Sequence, residues 1–222
     1  MKLPAVAVMA KVPGAEPVKS RLHEALTEAC ATELYRCFLL DRLDGLVALS
    51  GLTPIVAFTP ASAGAQMATL APPGVRLMAQ EGRDLTERLT RLFERLIGDG
   101  HTAALAMDSD SPTLPMAYVG DAAQTLARDE ADVVIGPSDD GGYYLIGLRR
   151  PEPALFERMP WSTPEVRAIT VSRARALGLR VHLLPPWFDI DTAADLARLR
   201  DALAASGTGP ARTTAFLSTL PR

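Results

Sequence analysis

The chain has 222 residues, of which 48% are hydrophobic, and a formal net charge of −3. This apolar content supports a sizeable core and argues against global disorder. The charge balance argues against a nucleic-acid coat protein, which would carry a basic face. No apolar run approaches the roughly 18 residues that a membrane span needs. Cys30 and Cys37 would lie about 10 Å apart along a predicted helix, too far for a disulfide. We therefore expect a cytoplasmic protein that binds neither nucleic acid nor membrane.

The first predicted strand leads into a loop with clustered positive charge. Residues 5–11 are apolar enough for a central strand, and residues 12–17 form a loop rich in Gly and Pro. Lys11, Lys19 and Arg21 lie within eleven residues of one another. Such a loop can wrap a polyphosphate, with Arg as a bidentate fork and Lys as a point charge, or it can be an ordinary solvated loop. Neither the Walker motif nor the dinucleotide fingerprint is present.

The rest of the chain alternates between helical and extended patterns. Apolar residues at a 3.6-residue spacing predict helices, and short apolar runs closed by turn residues predict strands. Asp84 and Glu87 predict an approximate capping box, and Thr163 before Pro164 predicts a helix start. From Ser206 the chain is predicted to be mostly loop. The predicted strands are 5–11, 53–58, 75–79, 103–107, 132–135, 143–148 and 180–184, and the predicted helices are 25–49, 63–70, 84–97, 116–128, 164–177, 192–205 and 213–220.

This alternation indicates a mostly parallel sheet with helices on both faces, which is a three-layer α/β/α architecture. The sequence contains no internal repeat, low-complexity segment or linker. We therefore predict a single domain over residues 1–222.

Two carboxylates follow the predicted strand 103–107. Asp108 and Asp110 are one residue apart, and Pro112 then ends any extended pairing. Ligands of open α/β sheets bind outside the carboxyl ends of the strands, and Mg²⁺ uses one or two carboxylates together with substrate phosphates. An Asp-rich turn would also explain these residues.

Two further polar clusters follow predicted strands. Asp139 and Asp140 precede Gly141 and Gly142, and Asp189 and Asp191 lie beyond the last strand. The paired glycines allow close approach to a ligand or form a tight hairpin turn, and Asp191 can simply cap a helix. Because parallel strand ends share one edge, we expect the carboxylates to face the cationic loop and hold Mg²⁺ or Mn²⁺ with a polyphosphate.

Six motifs occur along the chain in a fixed order. They are Lys11-x-Pro13-Gly14-x-x-x-x-Lys19-Ser20-Arg21-Leu22, Gln80-x-Gly82-x-Asp84-Leu85-x-x-Arg88, Ser109-Asp110-Ser111-Pro112-x-Leu114, Gly136-Pro137-x-x-Asp140-Gly141-Gly142-Tyr143-Tyr144-Leu145-Ile146-Gly147-Leu148, Trp161-Ser162-Thr163, and Asp189-Ile190-Asp191-Thr192-x-x-Asp195-Leu196. With them, nearly the whole chain resembles the small bacterial GT-A-type transferases known as radical-SAM/selenodomain-associated, glycosyltransferase-like proteins.

The resemblance implies the nucleotide-diphospho-sugar transferase fold, with a nucleotide along the first loop and a metal at Asp110. The family usually has Gly at the positions of Asp108 and Thr86, so Asp110 is the favoured ligand, and Ser20 replaces a common Thr. Asp189 or Asp191 would complete the metal site. The expected nucleotide-binding residues are Ala10, Lys11, Pro13, Gly14, Lys19, Arg21, Gln80, Gly82 and Arg88, and the expected acceptor-binding residues are Asp140, Gly141, Gly142 and Trp161.

Three functions follow from this site. The segment Lys19 to Leu22 also resembles the corresponding loop of guanylyl- and cytidylyltransferases, which favours nucleotidyl transfer from an NTP to a small anionic acceptor, with Lys19 and Arg21 on the phosphates. The alternative is a glycosyltransferase that uses a nucleotide-sugar, with Asp140 as base. A non-catalytic nucleotide-binding regulator is the third. Trp161 either packs or lines the acceptor pocket, and no oligomeric state is assigned.

Overall fold

The computed structural model describes residues 2–206 and 209–220, and these build one seven-stranded sheet with seven α-helices. Short 3₁₀ turns occupy Ser20–Glu24, Ala61–Ala63 and Pro153–Leu155. The strands are β1 (Ala5–Lys11), β2 (Thr53–Thr59), β3 (Arg76–Ala79), β4 (Ala104–Met107), β5 (Val133–Pro137), β6 (Tyr143–Leu148) and β7 (Val181–Leu183). The helices are α1 (Glu28–Ala48), α2 (Gly64–Leu70), α3 (Leu85–Gly98), α4 (Met116–Ala127), α5 (Val166–Ala176), α6 (Ala193–Ser206) and α7 (Ala211–Thr219).

The strand order is β3-β2-β1-β4-β6-β5-β7. Strand β1 runs parallel to β2 and β4, and the pairs β2–β3 and β5–β7 are also parallel. Strand β6 runs antiparallel to β4 and β5. All the other strands therefore point the same way, and their carboxyl ends lie at one edge of a mostly parallel, mixed sheet, as predicted.

Alternating side chains of the sheet divide the core into two apolar layers. Val6 and Val8 face the layer formed by α1, α2 and α4, and Ala5 and Ala7 face the layer formed by α3 and α5. A third cluster, which includes Phe38 of α1, joins α1 to α6 and α7. The three-layer α/β/α prediction is confirmed. Within the described part of the chain, no helix is both long and apolar enough to cross a bilayer.

The predicted elements are all present, with ends within three residues of those predicted. The predicted cap of α5 at Thr163 is wrong, because the cap is Glu165 and the Thr163 hydroxyl donates to the Pro160 carbonyl at 2.8 Å. A Cβ added to Gly141 would lie 2.2 Å from the Pro164 carbonyl oxygen. The Arg167 amide would donate to the Thr163 carbonyl if the helix were capped there, but it donates to the Gly141 carbonyl of the β5–β6 turn at 3.0 Å instead.

The helix start at Asp84 is confirmed, since its carboxylate accepts a hydrogen bond from the Glu87 amide at 2.9 Å. The reciprocal half of the predicted capping box differs, because the Glu87 carboxylate accepts from the amide of Arg83. Residues 207 and 208 of the predicted loop that begins at Ser206 lie outside the described residues.

The side chain of Asp108 points into the protein, beneath the turn that follows β4. Its amide donates to the Tyr144 carbonyl, and its carboxylate accepts from the Ser111 hydroxyl at 2.6 Å. The buried guanidinium of Arg42 donates to the Leu114 carbonyl at the other end of the turn. Burial raises the pKa of Asp108 to about 7, and the nearby Asp110 carboxylate adds to the shift. Asp108 therefore supports the turn from inside, and its raised pKa makes the stability of the fold depend on pH.

The pH dependence of stability should change in Asp108→Asn. The folded protein retains a proton on Asp108 that the unfolded chain, with a pKa near 3.8, has released, so stability falls as pH rises from about 4 to 7. Asn stays neutral. Relative to wild type, the Asn variant should therefore gain about 2–4 kcal/mol between pH 5 and pH 8 in urea unfolding. Asp201→Asn, at an exposed position of α6, is the control, and an equal stability difference at both pH values for Asp108→Asn would contradict this prediction.

Candidate functional site

A pocket of about 560 Å³ opens at the edge of the sheet where the parallel strands end. Its walls come from the ends of β1 and β2, the loop after β1, the turn after β4, and the segments after β3 and β7. The lining residues are Met9, Ala10, Lys11, Val18, Lys19, Ser20, Arg21, Tyr35, Thr59, Gln80, Leu85, Arg88, Ser109, Asp110, Ser162 and Asp191.

Lys19 joins the two carboxylates at the centre of this pocket. Its Nζ lies 2.8 Å from Oδ1 of Asp110 and 2.8 Å from Oδ1 of Asp191. The Lys19 side chain is 4% exposed, whereas those of Asp110 and Asp191 are 35% and 42% exposed. Burial alone would lower the pKa of Lys19, but the two carboxylates outweigh it and raise that pKa, so the ammonium stays charged.

Backbone contacts hold the two carboxylates close together. The amide of Ile190 donates to the Asp110 carbonyl at 3.0 Å, which ties the segment after β7 to the turn after β4. The Asp195 carboxylate accepts from the amides of Asp191 and Thr192 and so fixes the start of α6. Asp110 and Asp191, 81 positions apart in the sequence, thereby face the same cation.

Arg21 lies at the outer side of the same cluster. Its Nη1 is 3.9 Å from Oδ2 of Asp191, and its side chain is 75% exposed. Lys11 is also exposed, and its ammonium donates to the Pro17 carbonyl at 3.2 Å. Pro13 and Gly14 do not line the pocket. The Pro13 carbonyl accepts from the Gln66 amide, so this part of the loop packs on α2.

Tyr35, which was not among the expected site residues, forms the pocket floor together with Ser109. The Tyr35 hydroxyl of α1 accepts from the Lys11 amide at 3.0 Å and lies 3.1 Å from the Ser109 hydroxyl. Tyr35 is buried and therefore locks the end of β1 against the turn that carries Asp110. In the sequence, Tyr35 differs from its apolar neighbours in the first predicted helix only by its polar group, and Arg42 of the same helix does so too.

Gln80 and Arg88 form a further part of the pocket wall. The Gln80 side-chain amide donates to the carbonyls of Ala10 and Ala57, which holds its orientation at the ends of β1 and β2. Arg88 donates to the Gly82 carbonyl at 3.2 Å. A Cβ on Gly82, whose φ is +137°, would lie 2.7 Å from the Arg88 amide, so only glycine allows this close approach. Gly82 shapes this wall without lining the pocket.

The residues expected to bind an acceptor lie outside the pocket lining. The Asp140 carboxylate accepts from the Gly142 amide within the exposed hairpin turn between β5 and β6, and Gly141 belongs to the same turn. Trp161 is partly buried and packs against the core, with its ring stacked on Phe156 and its indole N–H donated to the Thr86 hydroxyl. Its neighbour Ser162 lines the pocket instead.

Asp189 also lies outside the lining, although it is close in the chain to Asp191. Burial raises the pKa of Asp189 to about 6, and the neighbouring Asp191 and Asp140 carboxylates add to the shift. Of the two expected partners for Asp110, it is Asp191 that the structure brings to it.

The charges of the lining favour an anionic ligand. Four cationic side chains line the pocket, against two carboxylates, although the whole chain carries a net negative charge. Lys19 is neutralised by the carboxylates, so the cations that face the open pocket are Lys11, Arg21 and Arg88. A phosphate chain is the ligand that such an arrangement attracts.

The carboxylate pair has the donor chemistry for a hard divalent cation. Within residues 2–206 and 209–220, no three His, Cys, Asp or Glu side chains form a metal cluster by themselves. Mg²⁺, however, is usually held by one or two carboxylates, with phosphates and water as the remaining ligands. Asp110 and Asp191 meet that requirement, because both are partly exposed to the pocket.

The fold is shared with known transferases. A crystal structure from Desulfovibrio desulfuricans G20, provisionally assigned as a nucleotide-diphospho-sugar transferase, is 32% identical to the chain, with a TM-score of 0.90 over 99% of this chain and 95% of that one. CMP:2-keto-3-deoxy-manno-octonic acid synthetase in complex with CTP is 13% identical, with a TM-score of 0.56 over 92% of this chain and 100% of that one. The Mycobacterium tuberculosis glucosyl-3-phosphoglycerate synthase, in complex with Mn²⁺, UDP and glucosyl-3-phosphoglycerate, is 12% identical, with a TM-score of 0.51 over 88% of this chain and 75% of that one.

The structural relatives are therefore transferases, and the fold is that of the nucleotide-diphospho-sugar transferases, as the sequence resemblance implied. No curated protein matches the chain by sequence. The narrower radical-SAM/selenodomain-associated grouping stays a prediction. Residues 42–163 match the family described as uncharacterized proteins conserved in bacteria. Because this match covers more than half of the chain, the chain belongs to that family, DUF2064.

Proposed function

We propose that the protein is a metal-dependent nucleotidyltransferase that moves a nucleotidyl group from an NTP to a small anionic acceptor and releases pyrophosphate. The observation that carries this proposal is the meeting of Asp110 and Asp191 beside Lys19 and Arg21 in one pocket with excess positive charge. Mg²⁺ or Mn²⁺ held by the two carboxylates would offset phosphate charge there.

The number of cations favours a triphosphate donor. When a nucleotide-sugar reacts, the metal offsets most of the charge of the departing nucleoside diphosphate. Departing pyrophosphate carries additional charge that needs further cationic partners. Arg21, Lys11 and Arg88 line the pocket beyond the carboxylate pair and would bind the phosphates. The acceptor's anionic oxygen would attack the α-phosphorus and form the new P–O bond as the bond to pyrophosphate breaks. An acceptor that is already an anion needs no separate base.

Glycosyl transfer is the second candidate, favoured by the relative from D. desulfuricans G20 that is provisionally assigned to nucleotide-sugars. This reaction needs a base near the acceptor hydroxyl. Asp140 is the candidate, although in this structure it lies on the hairpin turn outside the pocket lining. A regulator without chemistry would bind the donor and release no product.

The three candidates differ in the product released. The purified protein should release pyrophosphate when given Mg²⁺ or Mn²⁺, an NTP and a panel of phosphorylated or carboxylated small molecules. Release of nucleoside diphosphate from UDP- or GDP-sugars, with no pyrophosphate from any NTP, would establish glycosyl transfer instead. Nucleotide binding without turnover of either donor class would support the regulator.

Arg21→Ala should weaken triphosphate binding by about 10- to 100-fold, because a charge-assisted contact to phosphate is lost. Isothermal titration with a non-hydrolysable NTP analogue measures the effect. Arg150→Ala is the matched control, since Arg150 is an exposed arginine that follows β6 at the opposite edge of the sheet. Unchanged affinity in Arg21→Ala would count against a phosphate-binding role for the loop.

Asp110→Asn should abolish the metal-dependent activity, with a loss of about 100-fold or more in kcat, because the variant removes one of two carboxylates that would hold the metal. Asp121→Asn, on the exposed face of α4, serves as the control and should keep full activity. Retained activity in Asp110→Asn at saturating Mg²⁺ would show that the metal is held elsewhere.

A further inference from the structure

The position between Asp110 and Asp191 is already taken by a cation of the protein itself. The Lys19 ammonium is 2.8 Å from an oxygen of each carboxylate and is almost completely buried. Arg21 lies 3.9 Å from the second oxygen of Asp191. Both oxygens of Asp191 therefore face a positive charge before any ligand is present.

A divalent ion and the Lys19 ammonium cannot share this position. Mg²⁺ binds oxygens at about 2.0–2.1 Å, and it would have to use the same carboxylates that Lys19 bridges. Two cations so close together would repel each other strongly in a partly buried site. Metal without nucleotide would therefore have to displace Lys19, which would lose both of its carboxylate partners.

A bound nucleotide would give Lys19 new partners. Lys19 lines the same pocket in which the phosphates would lie, so its ammonium can leave the carboxylates without leaving the site. Its backbone is left-handed, with φ 51° and ψ 38°, at the residue before the 3₁₀ turn Ser20–Glu24. Non-glycine residues adopt this conformation rarely, and surrounding contacts must hold it. The two ion pairs are the contacts in this structure that hold the Lys19 ammonium in place.

We propose that Lys19 is an exchangeable internal cation, which keeps bare divalent metal off Asp110 and Asp191 and moves to the phosphates when a metal and a nucleotide enter together. The inference rests on the proposed nucleotide and metal site. It assigns Lys19 a role that the sequence did not indicate, since the sequence placed this residue only on the phosphates. Metal and nucleotide then bind cooperatively, because both favour the state in which the Lys19 ammonium has left the carboxylates for the phosphates.

Mn²⁺ binding without nucleotide tests this role, with electron paramagnetic resonance as the readout. Lys19→Met should bind Mn²⁺ about tenfold or more tightly than wild type, because the competing ammonium is gone. Lys11→Met removes another pocket lysine that does not touch the carboxylates and should bind like wild type. The double variant Lys19→Met/Asp110→Asn should lose the gain. Wild type that binds Mn²⁺ as tightly as Lys19→Met would overturn the inference.

A measurement on wild-type protein covers the case in which Lys19→Met does not fold. The ¹⁵N NMR signal of the buried Lys19 ammonium should stay unchanged when Mg²⁺ alone is added, and it should shift when Mg²⁺ and a non-hydrolysable NTP analogue are added together. A shift with Mg²⁺ alone, or no shift with both, would contradict the exchange.

The outcomes separate this inference from the proposed function. If Mn²⁺ binds in the presence of the NTP analogue and Asp110→Asn abolishes that binding, the metal site stands. In that case, if wild type and Lys19→Met bind Mn²⁺ equally tightly without nucleotide, only the proposed exchange of Lys19 is rejected. If no Mn²⁺ binds to wild type with the analogue, nor to Lys19→Met without it, the proposed carboxylate metal site itself fails.

Discussion

The ion pairs from Lys19 to Asp110 and Asp191 are the interaction on which the candidate site depends. They join three segments that are far apart in the sequence: the loop after β1, the turn after β4 and the segment after β7. Without the ammonium, two carboxylates would face each other in a partly buried pocket and repel. Because one lysine satisfies both, the site can be assembled before any ligand arrives. At the proposed metal site, the same contact would make Lys19 compete with the metal for the two carboxylates.

The sheet brings the segments of the site together, and a few hydrogen bonds fix their relative positions. Parallel strands β1 and β4 end side by side, which brings the loop and the turn together. The bond from the Ile190 amide to the Asp110 carbonyl then adds the third segment, and Tyr35 locks the floor through Lys11 and Ser109. Asp108 and the buried Arg42 support the turn from inside. The two carboxylates are therefore held by the sheet and by these hydrogen bonds, while the Arg21 side chain beside Asp191 remains exposed.

The sequence was sufficient for the fold because periodicity and turn residues report directly on strands and helices. It also placed Asp110, Asp191 and the cationic loop at one edge, since that follows from parallel topology alone. It did not show that Lys19 lies between the carboxylates, because that contact depends on one left-handed residue and on a partner 172 positions away. The inward direction of Asp108 and the packing of Trp161 depend likewise on tertiary contacts that no local pattern encodes.

The central claim is that Asp110 and Asp191 form a metal site for a bound phosphate chain. The most direct test is anomalous diffraction from crystals grown with Mn²⁺ and a non-hydrolysable NTP analogue. We expect a Mn²⁺ peak within bonding distance of both carboxylates and of phosphate oxygens, with Arg21 in contact with the phosphates. Nucleotide bound in the pocket with no Mn²⁺ peak at either carboxylate, or Mn²⁺ bound at a different site, would contradict it.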